Sequence, residues 1–387
     1  MSGRVAIAGV GQTVYKRRHE DVNSGELVRR AAMQALDDAG LGMDAIGLVI
    51  GGVAPDALAG LNHMDLGAIA RPGIPYFRVN TGGATGSSAV LAAISWIASG
   101  RCDAVLVVAL ERMGHASTSQ KVFNSIFDPI YEKDISVTTI SMVAMRATML
   151  MQDQGYNQRH WAELTAKNAR AAQHNDTIDR KRVFTADEVL ASPILAWPIR
   201  QLEACPMSEG ACAVVLTAEH LARDRNVAWI HGAAGLSDTY AMGDRIHRAE
   251  GSLVELHTLV ESARKAYAQA GVTRPSEQVD CVEIHAPFSS AEAMAYTALG
   301  LVGDDSGPQF ADRLIDGSER IVVNPSGGPQ MVNPVSAAAL VRIVECALQV
   351  RGTAGARQHD GIRRAVATGQ GGATQFSTCV VLGADRP

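Results

Sequence analysis

What the 387-residue chain lacks narrows its function before any motif is read. Its six cysteines, at 102, 205, 212, 281, 346 and 379, never form a C-x-x-C pair. Most sit inside apolar runs such as CDAVLVVAL and STCVVL, which argues against a disulfide framework or a zinc site and for buried free thiols in a reducing compartment. Lys and Arg number 35 against 40 Asp and Glu, so no basic field exists to hold a nucleic acid backbone. No uninterrupted apolar stretch approaches the roughly 20 residues of a membrane span, and MSGRVAIAGVG has no apolar signal core. GVGQTV at Gly9 lacks the third glycine of a dinucleotide fingerprint, and GQGGA lies between strands rather than before a helix. The final GADRP is not a peroxisomal address. A soluble, cytoplasmic protein is expected, with no nucleic acid or membrane partner, no metal and no tightly bound cofactor.

What is present is a repeat. Strand and helix patterns alternate: strand Val5 to Val10, helix Gly25 to Ala39, strands Ile46 to Val53 and Phe77 to Asn80, helix Ala84 to Ala98, strand Asp103 to Leu110. The order returns after Asn226: strand Ala228 to Ala233, helix Leu253 to Ala270, strands Val279 to His285 and Ile321 to Asn324, helix Val335 to Val350, strands Ala365 to Thr368 and Thr378 to Leu382. VNTGG at Val79 parallels VNPSGG at Val323. Such a duplication predicts an α/β fold of two mixed sheets covered by helices about a pseudo-two-fold axis. The first half spans 1–112 and 198–225, the second 226–387.

Between them, residues 113–197 form an excursion long enough to cap an active site. It contains a helix, Val137 to Asp153, with Met142, Met145 and Met149 at helical spacing. That stripe is either ordinary core or a soft wall for an acyl chain. The cluster Arg245, His247, Arg248 is either a solvated face or a contact for phosphates.

RVNTGGATGSSAVLAA, from Arg78, reads as a strand end, a glycine turn and a helix. Such an elbow exposes one side chain and aims the first helical N–H groups at a ligand. Its tip is Gly82, Gly83 and Ala84, with no nucleophile. Ser87 and Ser88, further on, have no base to activate them and read as helix residues.

The order and spacing of VAIAGVGQT, NTGGATGSSA, ALERM, CPMSEGACAVVL, VEIHAPFSSAEAMAYTALGL, NPSGGPQMVNPVSAAA and GQGGATQF resemble the thiolase superfamily. The likeness is to sterol-carrier-protein-type thiolases and the lipid-transfer-protein-like acyl-CoA aldolases, and it covers nearly the whole chain. It implies a five-layer αβαβα sandwich of duplicated β-α-β-α-β halves with a cap. The family's nucleophilic cysteine falls at Gly83 and is absent. In the His-Asp-Cys-Phe loop, His285 matches while Pro287 takes the cysteine position. In the Gly-His-Pro block, Asn333 stands for the histidine. Gly369, Gln370 and Gly371 fill the Cys-x-Gly block, as in the sterol-carrier type. Cys205 matches a family position that looks structural. The aldolases tend to have tyrosines near His285 and Pro334, and this chain departs from them there.

The resemblance implies a coenzyme A thioester as substrate and an oxyanion hole made by the backbone N–H groups of Gly83 and Gly371. His285 and the Asn333 amide supply a second hole, or His285 carries a proton; alternatively they are a structural histidine and a turn residue. Without Cys or His at these positions no acyl-enzyme can form at the elbow. The expected activity is therefore retro-aldol cleavage of a bulky β-hydroxyacyl-CoA. The alternatives are an acyltransferase or thiolase with a different nucleophile, or a catalytically silent subunit of an acyl-CoA complex. A homodimer is expected, together with a separate acyl-CoA-associated partner built from an OB-fold and a zinc ribbon.

Overall fold

The structure, a computed structural model, describes residues 3–53, 69, 73–115, 119–124, 126–128, 130–132, 138–179, 181–222, 225–246 and 253–387. In chain order the first half supplies β1 (Val5–Gln12), α1 (Ser24–Ala39), β2 (Leu48–Val53), β3 (Tyr76–Val79), α2 (Thr85–Ala98) and β4 (Ala104–Glu111). The excursion follows, with helices α3 (Thr139–Gln154) and α4 (Gln158–Ala172) and the hairpin β5 (Ile194–Ala196) and β6 (Ile199–Arg200). β7 (Gly210–Ala218) then returns to the first sheet. The second half supplies β8 (Ala228–Ser237), α5 (His257–Ala270), β9 (Cys281–Glu283), α6 (Ser289–Ala298), β10 (Val322–Val323), α7 (Val335–Arg351), β11 (Arg364–Gly371) and β12 (Phe376–Gly383). Val137, the expected start of the excursion's helix, lies outside the described residues.

The strand order β10-β9-β11-β12-β8-β1-β7-β4-β2-β3 reads as two mirrored sets of five. In each set four strands run one way and one runs against them, β7 in the first and β12 in the second, so β1, β2, β3, β4 and β7 answer to β8, β9, β10, β11 and β12. The expectation of two separate sheets needs one amendment. The edge strands β1 and β8 meet through Ala6 opposite Trp229 and Ile7 opposite Ala228, which makes one continuous ladder.

Alternation along the strands sends their side chains into three cores. Ala6, Ala8, Leu106, Val108, Ala213 and Val215 pack with α1 on one outer face. Ile7, Val105, Val107, Val214, Ala367 and Val380 share the middle with α2 and α7. Val282, Val366, Cys379 and Val381 pack with α5, α6 and the excursion on the other outer face. These are the layers of an αβαβα sandwich. Helices α2 and α7 touch closely because Gly86 has no side chain: a Cβ there would lie 2.5 Å from Leu340 Cβ. Among the described residues no helix is long and apolar enough to cross a membrane.

Candidate active site

The elbow is shaped by its own polar side chains. Asn80 Oδ1 accepts the Gly82 N–H at 3.0 Å, and Gly82 takes a left-handed φ of 61° that suits glycine. The Ala84 N–H goes to the Thr81 carbonyl. Between them, the Gly83 N–H has no acceptor among the described residues. Thr81 Oγ1 bonds Ser88 Oγ, and Ser87 Oγ bonds Thr378 Oγ1 and the Ala84 carbonyl. Both serines serve as helix residues that fix the elbow on its neighbours.

Four other loops converge on this turn. His285 follows β9, and its backbone N–H donates to Thr368 Oγ1 on β11. The Cys205 N–H donates to the Pro287 carbonyl, and the Asn333 N–H to Ser208 Oγ. Gly371 closes against the elbow, where a Cβ would stand 1.8 Å from the Thr81 carbonyl oxygen. The resulting cavity, about 520 Å³, is lined by Gly82, Gly83, His285, Asn333, Gln370 and Gly371, with Cys205 and Tyr240 also in its wall. Helix α3 covers it with Met142, Val143 and Arg146.

Residues far apart in the sequence, Gly83, His285, Asn333 and Gly371, thus share one cavity with Met142. Met145 and Met149 do not reach it: Met145 is 40% exposed, and Met149 packs on the outer core. The cavity takes only the first two turns of α3, along the face that carries Met142 and Arg146, and Met145 lies off that face.

Two further expectations change at atomic scale. The absence of the family's cysteine at Gly83 would by itself leave room. A Cβ there would instead lie 2.5 Å from the Gln370 carbonyl oxygen and 2.7 Å from His285 Cε1. The imidazole and the Gln370 carbonyl occupy the space a side chain at Gly83 would need. His285 was also a candidate proton carrier, but its Nδ1 accepts the Gln370 N–H at 3.0 Å. The neutral ring then carries its proton on Nε2, which has no partner and is buried. Burial and the Arg342 charge hold the imidazole down at about 3, against the opposite pull of hydrogen bonds to Gln370 and to the Asn333 side chain, which faces the ring. With Nδ1 engaged by the Gln370 N–H, the ring presents Nε2–H as a neutral donor.

Asn333 donates through Nδ2 to Cys205 Sγ at 3.2 Å and leaves Oδ1 unpartnered. Burial pushes the Cys205 thiol up to about 11, although the Asn333 hydrogen bond pulls the other way. Tyr240, at the rim, is raised by partial burial and by the nearby Asp128 and Glu132. Two features escaped the sequence reading. One is the Thr368 and Gln370 clamp on His285, which no motif announces. The other is Arg146, four residues after Met142 and so on the same helical face; a cation on an apolar face was a visible signal. Arg245, expected on a solvated face, is buried and donates to the Ala373 carbonyl at 2.6 Å. His247 and Arg248 lie outside the described residues.

A model of the thiolase N-terminal domain matches residues 5–220, and a thiolase C-terminal domain-like model matches 241–384. The chain belongs to the thiolase superfamily. This thiolase-like chain is 30% identical over 367 residues to an acetyl-CoA acetyltransferase of Methanothermobacter thermautotrophicus, covering 92% of this chain and 93% of that one. It is 30% identical over 384 residues to sterol carrier protein 2 of Gallus gallus, covering 95% of this chain and 69% of the relative. Among solved structures, an Ltp2-ChsH2(DUF35) aldolase superposes with a TM-score of 0.82 at 22% identity, over 99% of this chain and 98% of that one. A monomeric SCP2-thiolase-like protein type 1 from Mycobacterium smegmatis superposes with a TM-score of 0.73 at 17% identity, over 99% and 77%. These likenesses place the chain with the lipid-transfer type of thiolase-like proteins, whose relatives include acyltransferases and an aldolase.

Proposed function

We propose that this chain cleaves a carbon–carbon bond of a bulky β-hydroxyacyl-CoA by a retro-aldol reaction, without an acyl-enzyme. The observation that carries the proposal is the packing at Gly83: the place of a nucleophile is filled by the His285 ring and the Gln370 carbonyl. What remains aimed at the cavity is donors. The thioester oxygen sits between the Gly83 N–H and His285 Nε2–H, with the Gly371 backbone beside them. As the Cα–Cβ bond breaks, charge grows on that oxygen and the enolate is held by neutral, preorganised dipoles; each well-placed donor is worth about 10²- to 10³-fold in rate. Asn333, whose side chain also faces the His285 ring, presents Oδ1 to accept the β-hydroxyl hydrogen and orient it. The hydroxyl proton leaves to solvent water, and Cys205 or Tyr240, both held in the protonated form, returns a proton to the enolate carbon and is reprotonated from solvent.

Cys205 also bears on the covalent alternative, since it is a thiol in the cavity wall. Burial pushes its thiol up to about 11, so it stays protonated at neutral pH, and among the described residues His285, the histidine in the cavity wall, has Nδ1 engaged by Gln370, which favours the aldol reading. The name of the Ltp2-ChsH2(DUF35) aldolase pairs an aldolase with a second protein. This supports a separate OB-fold and zinc-ribbon partner for this chain, and we propose a homodimer as the core of that assembly. The test is product analysis of β-hydroxyacyl-CoA substrates with purified protein and its co-expressed partner, in the absence of free CoA. The reading predicts a carbonyl compound plus a shortened acyl-CoA. A strict requirement for free CoA, as in a thiolytic cleavage, would refute it.

A further inference from the structure

Helix α3 brings a guanidinium into the same cavity. Arg146 is 3% exposed and lines the wall one turn beyond Met142. Its Nη2 donates to Thr374 Oγ1 at 2.7 Å and more weakly to the Ala373 carbonyl at 3.4 Å. Among the described residues Nε has no partner, Nη1 makes no hydrogen bond, and no carboxylate pairs with the guanidinium. Other arginines inside or half inside the protein are built differently: buried Arg342 pairs with Glu283, half-buried Arg357 with Glu345, and buried Arg112 lies 3.8 Å from Glu209. Near Arg146 stands a second cation instead, Arg245, which shares the Ala373 carbonyl and Thr374 Oγ1. Burial and that neighbouring charge pull Arg146 down to about 9, so it remains charged at neutral pH, with no counter-ion among the described residues.

A buried cation without a counter-ion is costly unless a ligand supplies the anion. The surrounding wall, Ile140, Met142, Val143, Leu256, Phe288 and Met294, is apolar and cannot supply it. We propose that Arg146 binds a second carboxylate on the acyl part of the substrate, so that the cavity selects acyl-CoAs charged at a distance from the thioester. The planar guanidinium matches a carboxylate in a way that an ammonium would not. The apolar wall takes the hydrocarbon between the two polar ends. This assignment rests on the acyl-CoA reading of the cavity, and it adds a selection that the oxyanion donors do not make.

Isothermal titration calorimetry with length-matched pairs tests it: hexanoyl-CoA against adipoyl-CoA, octanoyl-CoA against suberoyl-CoA, decanoyl-CoA against sebacoyl-CoA, with CoA alone as reference. In the wild type at least one carboxylated member binds at least about tenfold tighter than its neutral partner. Arg146→Met removes that preference and leaves the affinity for the neutral thioester and for CoA unchanged, while Arg146→Lys retains part of it. Equal affinities within every pair for the wild type would overturn the assignment, and that comparison needs no variant to fold. If Arg146→Met weakens CoA and both members alike, the residue serves CoA phosphates or the 373–374 loop and the assignment fails. If no thioester binds at all, the acyl-CoA reading itself falls.

Discussion

The duplication built one turn twice and put the two copies to opposite uses. In the first half Asn80, Gly82 and Gly83 face a cavity, and the Gly83 N–H is left for a ligand. In the second half the matching turn is sealed. Asn324, in a left-handed conformation at φ 52°, accepts the Ile284 N–H at 2.7 Å and donates to Glu292 at 2.8 Å. Ser326 donates to Glu283 through both N–H and Oγ, and Arg342 bonds both Glu283 and Ser326. The excursion enforces the division. Its helix α3 walls the open elbow, while Lys167 and Asn168 of α4 bond Glu292 and Lys167 caps the Val323 carbonyl. Glycine-rich turns of the same ancestry therefore become a reaction site or a structural anchor according to whether buried charge fills them.

Breaking the sealed elbow should have the largest effect. Arg342→Met leaves Glu283 buried without its cation, and we expect a loss of about 3–5 kcal/mol in urea denaturation. At the open elbow the largest effect should be on rate. His285→Ala is expected to lower kcat for a β-hydroxyacyl-CoA by at least about 10²-fold with little change in substrate affinity; full activity would remove His285 from the chemistry.

A pair of alanine substitutions sharpens the contrast. At Gly83 the new Cβ must displace His285 or the Gln370 carbonyl, so Gly83→Ala should cost activity about as much as His285→Ala and stability about 1–3 kcal/mol. At Gly327, with φ 92° and Ala172 Cβ 2.7 Å away, Gly327→Ala should cost similar stability but leave kcat/KM within about twofold. Gly83→Cys should yield no thiolytic activity, because Asn333 cannot activate a thiol.

The smallest expected effect is a pH response that does not occur. With His285 held at about 3, the ring stays neutral across the working range. A histidine base would make kcat/KM rise as pH passes upward through about 6.5; here no inflection is expected there. An inflection near 6.5 that vanishes in His285→Gln would reinstate the base.

Most of the fold was legible because buried strands and amphipathic helices leave strong patterns, and the repeat confirmed each pattern with its partner. β4 and β12 read directly as apolar runs, and α7 from its small-residue period. The seam between β1 and β8 was not legible, since edge pairing is a long-range contact with no local signature. At the site, residue positions came from motif order, and Gly83, His285, Asn333 and Gly371 do meet in one cavity. Their roles depended on distances no sequence holds: the Gln370 N–H that occupies Nδ1, and the ring that fills the place of a cysteine side chain. Arg146 hid among methionines because a mixed stripe was read by its commonest residue.

The central claim is that the open elbow works through its backbone and a neutral imidazole, never through a covalent bond. Intact-protein mass spectrometry on samples quenched during turnover of a β-hydroxyacyl-CoA tests it most directly. The account predicts the unmodified protein mass throughout, alongside accumulating carbonyl product. A transient adduct of acyl mass on the protein, mapped to Cys205 or any other residue, would contradict it.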